Sequence, residues 1–162
     1  MRSLCQDIDM SQGGTVGPPE EAVGYVLKQA ASALRAAMDA ALRPLDLTVP
    51  QYACLELLGQ RPGLSNAELA RGAFVSRQSM NGVLRGLQDR GLVSRPDTAP
   101  QGRARPTELT PAGRAALRTA STAVRDIERR MTAQLSATDQ RRLLDDLAAC
   151  AAALAEPPPA YS

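Results

Sequence analysis

The apolar part of this chain is built mainly from alanine and leucine, and this limits the folds open to it. Apolar residues make up 44% of the 162 residues, but aromatic residues only 2%. Alanine and leucine favour helices, whereas large sheets use β-branched and aromatic side chains. We therefore expect a mostly α-helical protein with a single core, which suits a chain of this length.

The sequence has none of the marks of an exported or membrane-spanning protein. Asp7 and Asp9 stand where a signal peptide would be apolar, and no apolar run approaches the roughly 20 residues that cross a bilayer. The three cysteines, Cys5, Cys54 and Cys150, are too widely spaced for a zinc site and odd in number for a disulfide framework. These features predict a cytoplasmic protein with reduced thiols and no membrane partner.

The residue types that are missing exclude most catalytic chemistry. Without histidine, the chain has no imidazole for acid–base catalysis, for metal ligation or for a catalytic triad. The carboxylates of Glu20, Glu21, Asp145 and Asp146 lie on predicted helix surfaces without clustered partners. We therefore expect no catalytic residue, no metal and no cofactor, and we do not expect an enzyme.

Capping signals divide the first half of the chain into helices. Apolar residues at three-to-four spacing predict a first helix over 20–42, with acidic residues in its opening turn. Thr48 and Ser65 each begin a capping box. They predict two short helices, of which the first ends near residue 61 and the second just before Gly72.

A helix-turn-helix and a hairpin follow. Ser76 is placed to cap a helix that runs to Arg90 and ends at Gly91, and a tight turn joins this helix to the one before it. Two extended stretches, 92–95 and 103–109, then flank a polar turn that contains two prolines. This pattern predicts a β-hairpin, or wing.

The long helices at both ends carry more apolar surface than so small a monomer buries. Thr110 with Pro111 begins a helix that runs to Met131, and Ser136 begins the last helix, which ends before the prolines at 157–159. Symmetric pairing of two copies is the commonest way to cover such stripes. We therefore expect a homodimer.

Charge is unevenly distributed along the chain. Residues 61–118 contain ten arginines and four acidic residues, a net charge of +6, so the rest carries −4 and the total is +2. The planar guanidinium of arginine suits phosphates and guanine edges. A codon bias towards arginine would raise the number of arginines but would not concentrate them over the helix-turn-helix. The clustering indicates a nucleic-acid partner.

Several motifs, taken in order, resemble the MarR group of winged helix-turn-helix regulators over about residues 20–155. They are Leu47-Thr48 with Gln51-Tyr52, Gly63-Leu64-Ser65 with Glu68-Leu69-Ala70, Val75-Ser76, Leu87 with Arg90-Gly91-Leu92-Val93, and Leu109-Thr110-Pro111-Ala112-Gly113-Arg114. The resemblance implies a homodimer whose first helix and last two helices form the base. Each winged helix-turn-helix would then lie in adjacent grooves of DNA.

The organisation expected from this resemblance is a mostly α winged helix-turn-helix with a small β-hairpin wing and flanking dimerisation helices. It divides the chain into a flexible N-terminal arm (1–19), an N-terminal dimerisation helix (20–46), a DNA-binding domain (47–110), C-terminal dimerisation helices (111–156) and a disordered tail (157–162).

Two positions depart from the family pattern. Phe74 stands where the turn commonly has glycine, and we expect Gly72 to supply the flexibility instead. Gln101 stands where the wing usually has an aspartate, two residues before Arg103, which matches the family's wing arginine. We therefore expect Arg103 to contact DNA while being held less rigidly.

The helix over 76–90 has an apolar stripe, Met80, Val83, Leu84 and Leu87, that must face the core. The opposite polar face suits a major groove, because arginine bonds bidentately to guanine, and asparagine or glutamine to adenine. A merely solvated helix face is the alternative. Gly82 on this side would either let the helix approach DNA closely or be an unfavourable surface residue.

Other candidate contacts surround that helix. Arginines in the wing suit a minor groove. The alternative is that they only keep an edge strand soluble by their charge. Serines near helix starts, and Asn66, are placed to contact phosphates. For the serines the alternative is helix capping alone. The candidate DNA-binding residues are Ser65, Ser76, Arg77, Gln78, Ser79, Asn81, Arg85, Arg95, Arg103 and Arg105. A dimer with two identical readers needs a pseudo-palindromic double-stranded site.

The resemblance also implies a signal, a small anionic or lipophilic ligand bound between the dimer base and the reading domain. The candidate residues are Tyr25, Met38, Arg43 and Tyr52, for which ordinary packing is the alternative. A repressor is favoured over an activator, because occupying a promoter needs no further machinery. Two rival functions remain: an oxidant-sensing cysteine regulator of the same fold, and a winged helix that binds protein and has only weak, salt-insensitive affinity for DNA.

Overall fold

A computed structural model describes residues 18, 21–95 and 107–155. The order of elements in this part of the chain is α1 (Val23–Leu42), a short 3-10 turn (Arg43–Leu45), α2 (Val49–Gln60), α3 (Asn66–Gly72), α4 (Arg77–Asp89), β1 (Val93–Ser94), β2 (Glu108–Leu109), α5 (Pro111–Met131) and α6 (Ala137–Ala155). The mostly helical fold with a small hairpin is confirmed. None of these helices is long and apolar enough to cross a membrane.

The chain divides into two compact units, one ending at Ala36 and one beginning at Ala37. In the first unit, α1 begins at Val23 with no acidic residue in its first turn. The expected acidic opening of this helix is therefore wrong, since Glu21 precedes the helix and Glu20 lies outside the described residues. Val23 and Tyr25 are exposed on this part of α1.

The core of the second unit is centred on α2, which packs against α3, α4 and α5. The fully buried side chains are mainly leucines together with Met80, and they include Leu42, Leu55, Leu58, Leu69, Leu84 and Leu87. On α4, Met80, Leu84 and Leu87 are buried and Val83 is half-buried against them. The predicted apolar stripe is confirmed, and it turns the opposite face of α4 outward.

The helix starts form as the capping signals predict. Thr48 and Ser65 each complete a capping box, in which the backbone N–H of Thr48 donates to Gln51 Oε1 over 3.0 Å. The end of α3 differs from the prediction, because Gly72 is its last residue. A Cβ there would come within 2.7 Å of Leu57 Cδ1, so the glycine lets α3 lie close to α2.

The turn between α3 and α4 adopts its shape at Phe74. This residue has a φ of 55°, in the left-handed region that favours glycine. The expectation that Gly72 supplies the flexibility of the turn is therefore wrong. Gly72 is helical, and Phe74 itself takes the positive φ.

The described part of the wing is its base. Val93 pairs with Leu109 and Ser94 with Glu108 in an antiparallel register. The strands are shorter than the expected 92–95 and 103–109 stretches, since Leu92, Arg95 and Thr107 are not in strands. Residues 96–106, most of the N-terminal arm and the tail beyond residue 155 lie outside the described residues.

The start of α5 is docked onto the end of α4. Gly91 takes a φ of 65°, and the N–H of Leu92 donates to the carbonyl of Leu87 over 2.9 Å, which closes α4 as predicted. The Thr110 hydroxyl caps α5 by accepting from the N–H of Gly113 and donates to the carbonyl of Gly91 over 2.7 Å. These bonds join α4, the wing base and α5.

Candidate nucleic-acid interface

The first turn of α4 is fixed by its N-cap. Ser76 has an extended backbone, and its hydroxyl oxygen accepts from the N–H of Ser79 over 3.0 Å. Four polar residues of α4, Arg77, Gln78, Asn81 and Arg85, are exposed. We call these four the polar face. Its exposure is as expected, and which bases it contacts stays a prediction.

The serine hydroxyls at the helix starts are already used for capping. Ser65 Oγ accepts from the N–H of Glu68 over 3.3 Å and donates to its carboxylate over 2.6 Å. The hydroxyl and backbone N–H of Ser65 together lower the pKa of the Glu68 carboxyl. Ser76 caps α4 and donates to the hydroxyl of Ser79. Contacts of these serines with phosphates remain a prediction.

A hydrogen bond between α3 and α4 orients one member of the polar face. Asn66 Nδ2 donates to Asn81 Oδ1 over 2.7 Å. This bond occupies part of the Asn81 carbonyl and leaves its Nδ2 group to donate outward. Sequence spacing gives no signal for this pair, because the two residues are 15 positions apart and meet only through the packing of α3 on α4.

Of the three candidate wing arginines, the structure describes Arg95. Arg95 directly follows β1 and is half-buried, with its Nε enclosed. Arg95 therefore lies at the base of the wing, and its charge partly offsets the effect of burial, which raises the pKa of the Cys54 thiol. Arg103 and Arg105, the other two wing candidates, lie outside the described residues.

The candidate ligand residues of the second unit do not share one cleft. Arg43 lines a cleft of about 480 Å³ together with Asp46 and Arg90, and among the described residues neither Met38 nor Tyr52 lines it. Arg90 Nη1 donates to the backbone carbonyl of Asp46, and Arg90 Nη2 lies 3.7 Å from Asp46 Oδ2. This pair links the end of α4 to the turn that follows α1.

Met38 and Tyr52 instead pack against the core and are half-buried. The Tyr52 hydroxyl donates to Glu56 Oε2 over 3.3 Å, and burial raises the pKa of the phenol. The fourth candidate, Tyr25, belongs to the first unit, where it lines a shallow groove with Lys28 and Gln29. A ligand role for these residues stays a prediction.

The environment of Cys54 opposes redox sensing there. The side chain is fully buried on α2, and burial raises the pKa of its thiol to about 12, with the charge of Arg95 offsetting only part of this. Cys54 is therefore protonated at neutral pH. Because the thiolate is the reactive form, this thiol is unreactive in the folded protein. Cys150 is exposed on α6, and Cys5 lies outside the described residues.

We therefore expect Cys54 to resist thiol reagents in the folded protein. From a thiol pKa of 9.0 to one of about 12, the thiolate fraction at pH 7 falls about 1,000-fold, and the alkylation rate should fall at least as much. Pulse labelling with N-ethylmaleimide, read by peptide mass spectrometry, should modify Cys150 and spare Cys54 until denaturant is added. Rapid oxidation of Cys54 by peroxide in the folded protein would contradict this.

Comparisons with known proteins agree with this architecture. A model of the MarR family matches residues 45–104. The HTH-type transcriptional repressor Rv2887 of Mycobacterium tuberculosis is 47% identical over 128 residues, which cover 77% of this chain and 92% of that protein. A crystal structure of Rv2887 in complex with DNA superposes with a TM-score of 0.66 at 45% identity, covering 78% of this chain and 97% of that one.

Two further structures extend the similarity. Rv2887 in complex with salicylic acid gives a TM-score of 0.65 at 46% identity and covers 78% of this chain and 96% of that one. The transcriptional repressor CouR, bound to a 23-mer DNA duplex, gives a TM-score of 0.75 at 31% identity over 85% of this chain and 97% of that one. The chain has the winged helix-turn-helix fold and is 47% identical to a repressor over 92% of that protein's length. It therefore belongs to the MarR family of transcriptional regulators.

Proposed function

We propose that the protein is a homodimeric repressor that binds a pseudo-palindromic double-stranded DNA site and leaves it when a small anionic or lipophilic ligand binds. The observation that carries this proposal is the exposed polar face of α4, on a helix whose apolar residues Met80, Leu84 and Leu87 are buried in the core. A repressor of this kind would act on chromosomal DNA in the cytoplasm. Its action there is binding, without catalysis.

In this proposal, α4 enters the major groove with its polar face towards the bases. Arg77 and Arg85 would bond to the O6 and N7 atoms of guanine, and Gln78 and Asn81 to the N6 and N7 atoms of adenine. The Asn66 amide would hold Asn81 in one orientation, since it donates to Asn81 Oδ1. A side chain oriented before binding loses less conformational entropy on binding.

Phosphate contacts would position this helix without selecting a sequence. The first N–H groups of α3 and α4 point out of the helix starts, where they are available to phosphate oxygens, and the hydroxyls of Ser65, Ser76 and Ser79 lie beside them. Arg95, Arg103 and Arg105 would support the wing in or beside a minor groove. These contacts set affinity and its dependence on salt.

Other observations than the polar face support dimerisation and release by a ligand. Leu143, Leu144, Leu147 and Leu154 are exposed on α6, as expected of a helix that pairs with a second copy. Release by a ligand is supported by the 46% identity to Rv2887, whose structure contains salicylic acid. Arg43, which lines a cleft with Asp46 and Arg90, is the candidate partner for a ligand carboxylate, whereas Met38 and Tyr52 lie outside this cleft.

Selection of bound duplexes from random DNA by the purified protein tests this proposal. The expected result is an inverted repeat whose half-sites lie about 10 bp apart, bound by two chains. Salicylate, titrated into the complex, should then lower the fraction bound. Recovery of no common sequence would overturn the proposal.

Gly82 provides a prediction specific to the polar face. It is exposed in the middle of α4, and a Cβ there would meet nothing within 4 Å. Gly82→Ala should therefore stabilise the fold by about 0.5–1 kcal/mol, since glycine is unfavourable inside a helix. If α4 fits closely into the groove, the added methyl should also weaken binding to the selected duplex by about 1 kcal/mol or more.

Thermal unfolding and duplex titration of the same preparation measure both effects of Gly82→Ala. Gly24→Ala is the matched control, because Gly24 is also helical and exposed with nothing within 4 Å of an added Cβ, but lies on α1. The control should leave DNA affinity unchanged. A Gly82→Ala protein that is more stable and binds DNA as tightly as wild type would show that this face is not in close contact with DNA.

A further inference from the structure

We propose that Phe74 is a specificity-determining residue that contacts the 5-methyl group of a thymine in each half-site. The inference rests on the proposed DNA-binding function and adds to it a residue outside the polar face of α4. It assigns a role to a side chain that the core does not use, in the turn that leads into α4.

The exposure of Phe74 calls for an explanation. Its side chain is 95% exposed, which is the highest value among the exposed large apolar residues of the described chain. Its backbone also has a φ of 55°, a conformation that glycine adopts freely and a residue with a large side chain adopts at a cost. Such strain persists where the surrounding structure enforces it, and it concentrates at functional sites.

The turn holds this strained residue firmly. The N–H of Phe74 donates to the carbonyl of Arg71 over 3.2 Å, and the N–H of Val75 donates to the carbonyl of Ala70 over 3.0 Å. The neighbours on either side, Ala73 and Val75, are half-buried against the core. Phe74 therefore projects from a fixed backbone, and its ring has only two side-chain torsions to order on binding.

The position of the turn suggests what the ring meets. Phe74 lies two residues before the N-cap Ser76 and three before Arg77, at the end of α4 that would enter the groove. Its charged neighbours in the sequence, Arg71 and Arg77, are exposed and basic. In the major groove, the apolar group that a base offers to an aromatic ring is the 5-methyl group of thymine.

Replacing thymine by deoxyuridine tests the inference directly, because it removes the methyl group and keeps the base pair. The probe is the duplex selected by the wild-type protein, with each thymine replaced in turn in both half-sites. At one position, wild-type affinity should fall about fourfold per methyl group, or about 15-fold for the symmetric pair. Phe74→Ala should bind the unmodified duplex more weakly. At that position only, replacing thymine by deoxyuridine should no longer lower its affinity; we call this loss of affinity the uracil penalty.

Two controls separate this effect from unfolding. Phe74→Gly suits the positive φ, so it should melt at or above the wild-type temperature while losing the same discrimination. Gln88→Ala, at an exposed position near the other end of α4, should keep the full uracil penalty.

Three results would overturn the inference. The first is an undiminished uracil penalty at every position in Phe74→Ala. The second is a uniform loss of affinity on methylated and unmethylated duplexes, which would indicate contact with the sugar–phosphate backbone. The third is failure of the wild-type protein to select any duplex, which would overturn the proposed function together with this inference, whereas the first two leave the proposed function intact.

Discussion

Replacing Arg77 with alanine should weaken binding to the selected duplex by about 1–3 kcal/mol per half-site, and by about 2–6 kcal/mol for the two half-sites together. Arg77 is the first residue of α4, exposed and placed by the Ser76 cap. A bidentate arginine contact with guanine is the commonest specific contact in the major groove. Its loss should therefore also make the protein indifferent to the base at one position of each half-site.

Titration of the variant against the selected duplex and its three base-pair substitutions at each position measures both effects. Arg118→Ala is the matched control, because Arg118 is an exposed arginine on α5, outside the helix-turn-helix. It removes the same charge and should leave base preference unchanged. An Arg77→Ala protein that binds with wild-type affinity and preference would show that the polar face has been assigned to the wrong role.

Replacing Gly113 with alanine should destabilise the fold by about 3 kcal/mol or more. A Cβ at this position would lie 1.9 Å from the backbone oxygen of Leu92, and a backbone atom cannot swing aside as a side chain would. The start of α5 would have to move away from the end of α4, breaking the bonds from Thr110 to Gly91 and Leu92. The wing base would lose its support at the same time.

Thermal unfolding at a fixed protein concentration measures this effect, and a loss of 3 kcal/mol corresponds to about 6–12 °C for a chain of this size. Gly82→Ala is the control, because it makes the same substitution in a helix where nothing lies within 4 Å. The two variants should shift the melting temperature in opposite directions. A Gly113→Ala protein that melts within a degree or two of wild type would contradict the docking of α5 on Leu92.

Local signals predicted the helices of this fold well. Thr48, Ser65, Ser76 and Thr110 all cap the helices expected of them, because a cap depends on residues within one turn of the chain. The apolar stripe of α4 was predictable for the same reason, since three-to-four spacing alone determines which side chains share a face. The exposure of the polar face follows from that stripe.

Features that depend on packing between elements were not predictable. The Asn66–Asn81 bond and the contact of Arg90 with Asp46 join residues 15 and 44 positions apart. The expectation for Gly72 failed because the close approach of α3 to Leu57, rather than the turn, accounts for that glycine. A pattern within one segment of the sequence does not indicate which residues of another segment it will contact.

Arg95 shows the same limit at the candidate site. Its place beside the hairpin predicted a wing contact, but the charge alone does not reveal that the packing of β1 leaves its Nε enclosed. The positive φ of Phe74 likewise depends on how Ala73 and Val75 pack against the core on either side of it.

The dependence of DNA affinity on salt tests the central claim most directly. Equilibrium binding of the selected duplex, and of a scrambled duplex of the same composition, is measured between 50 and 200 mM salt. Phosphate contacts by arginine release counterions, so we expect affinity to fall roughly 10³- to 10⁵-fold for a protein making about 6–10 such contacts, with the selected duplex bound more tightly throughout. Weak binding that hardly changes with salt and does not distinguish the two duplexes would contradict the account and favour a winged helix that binds protein.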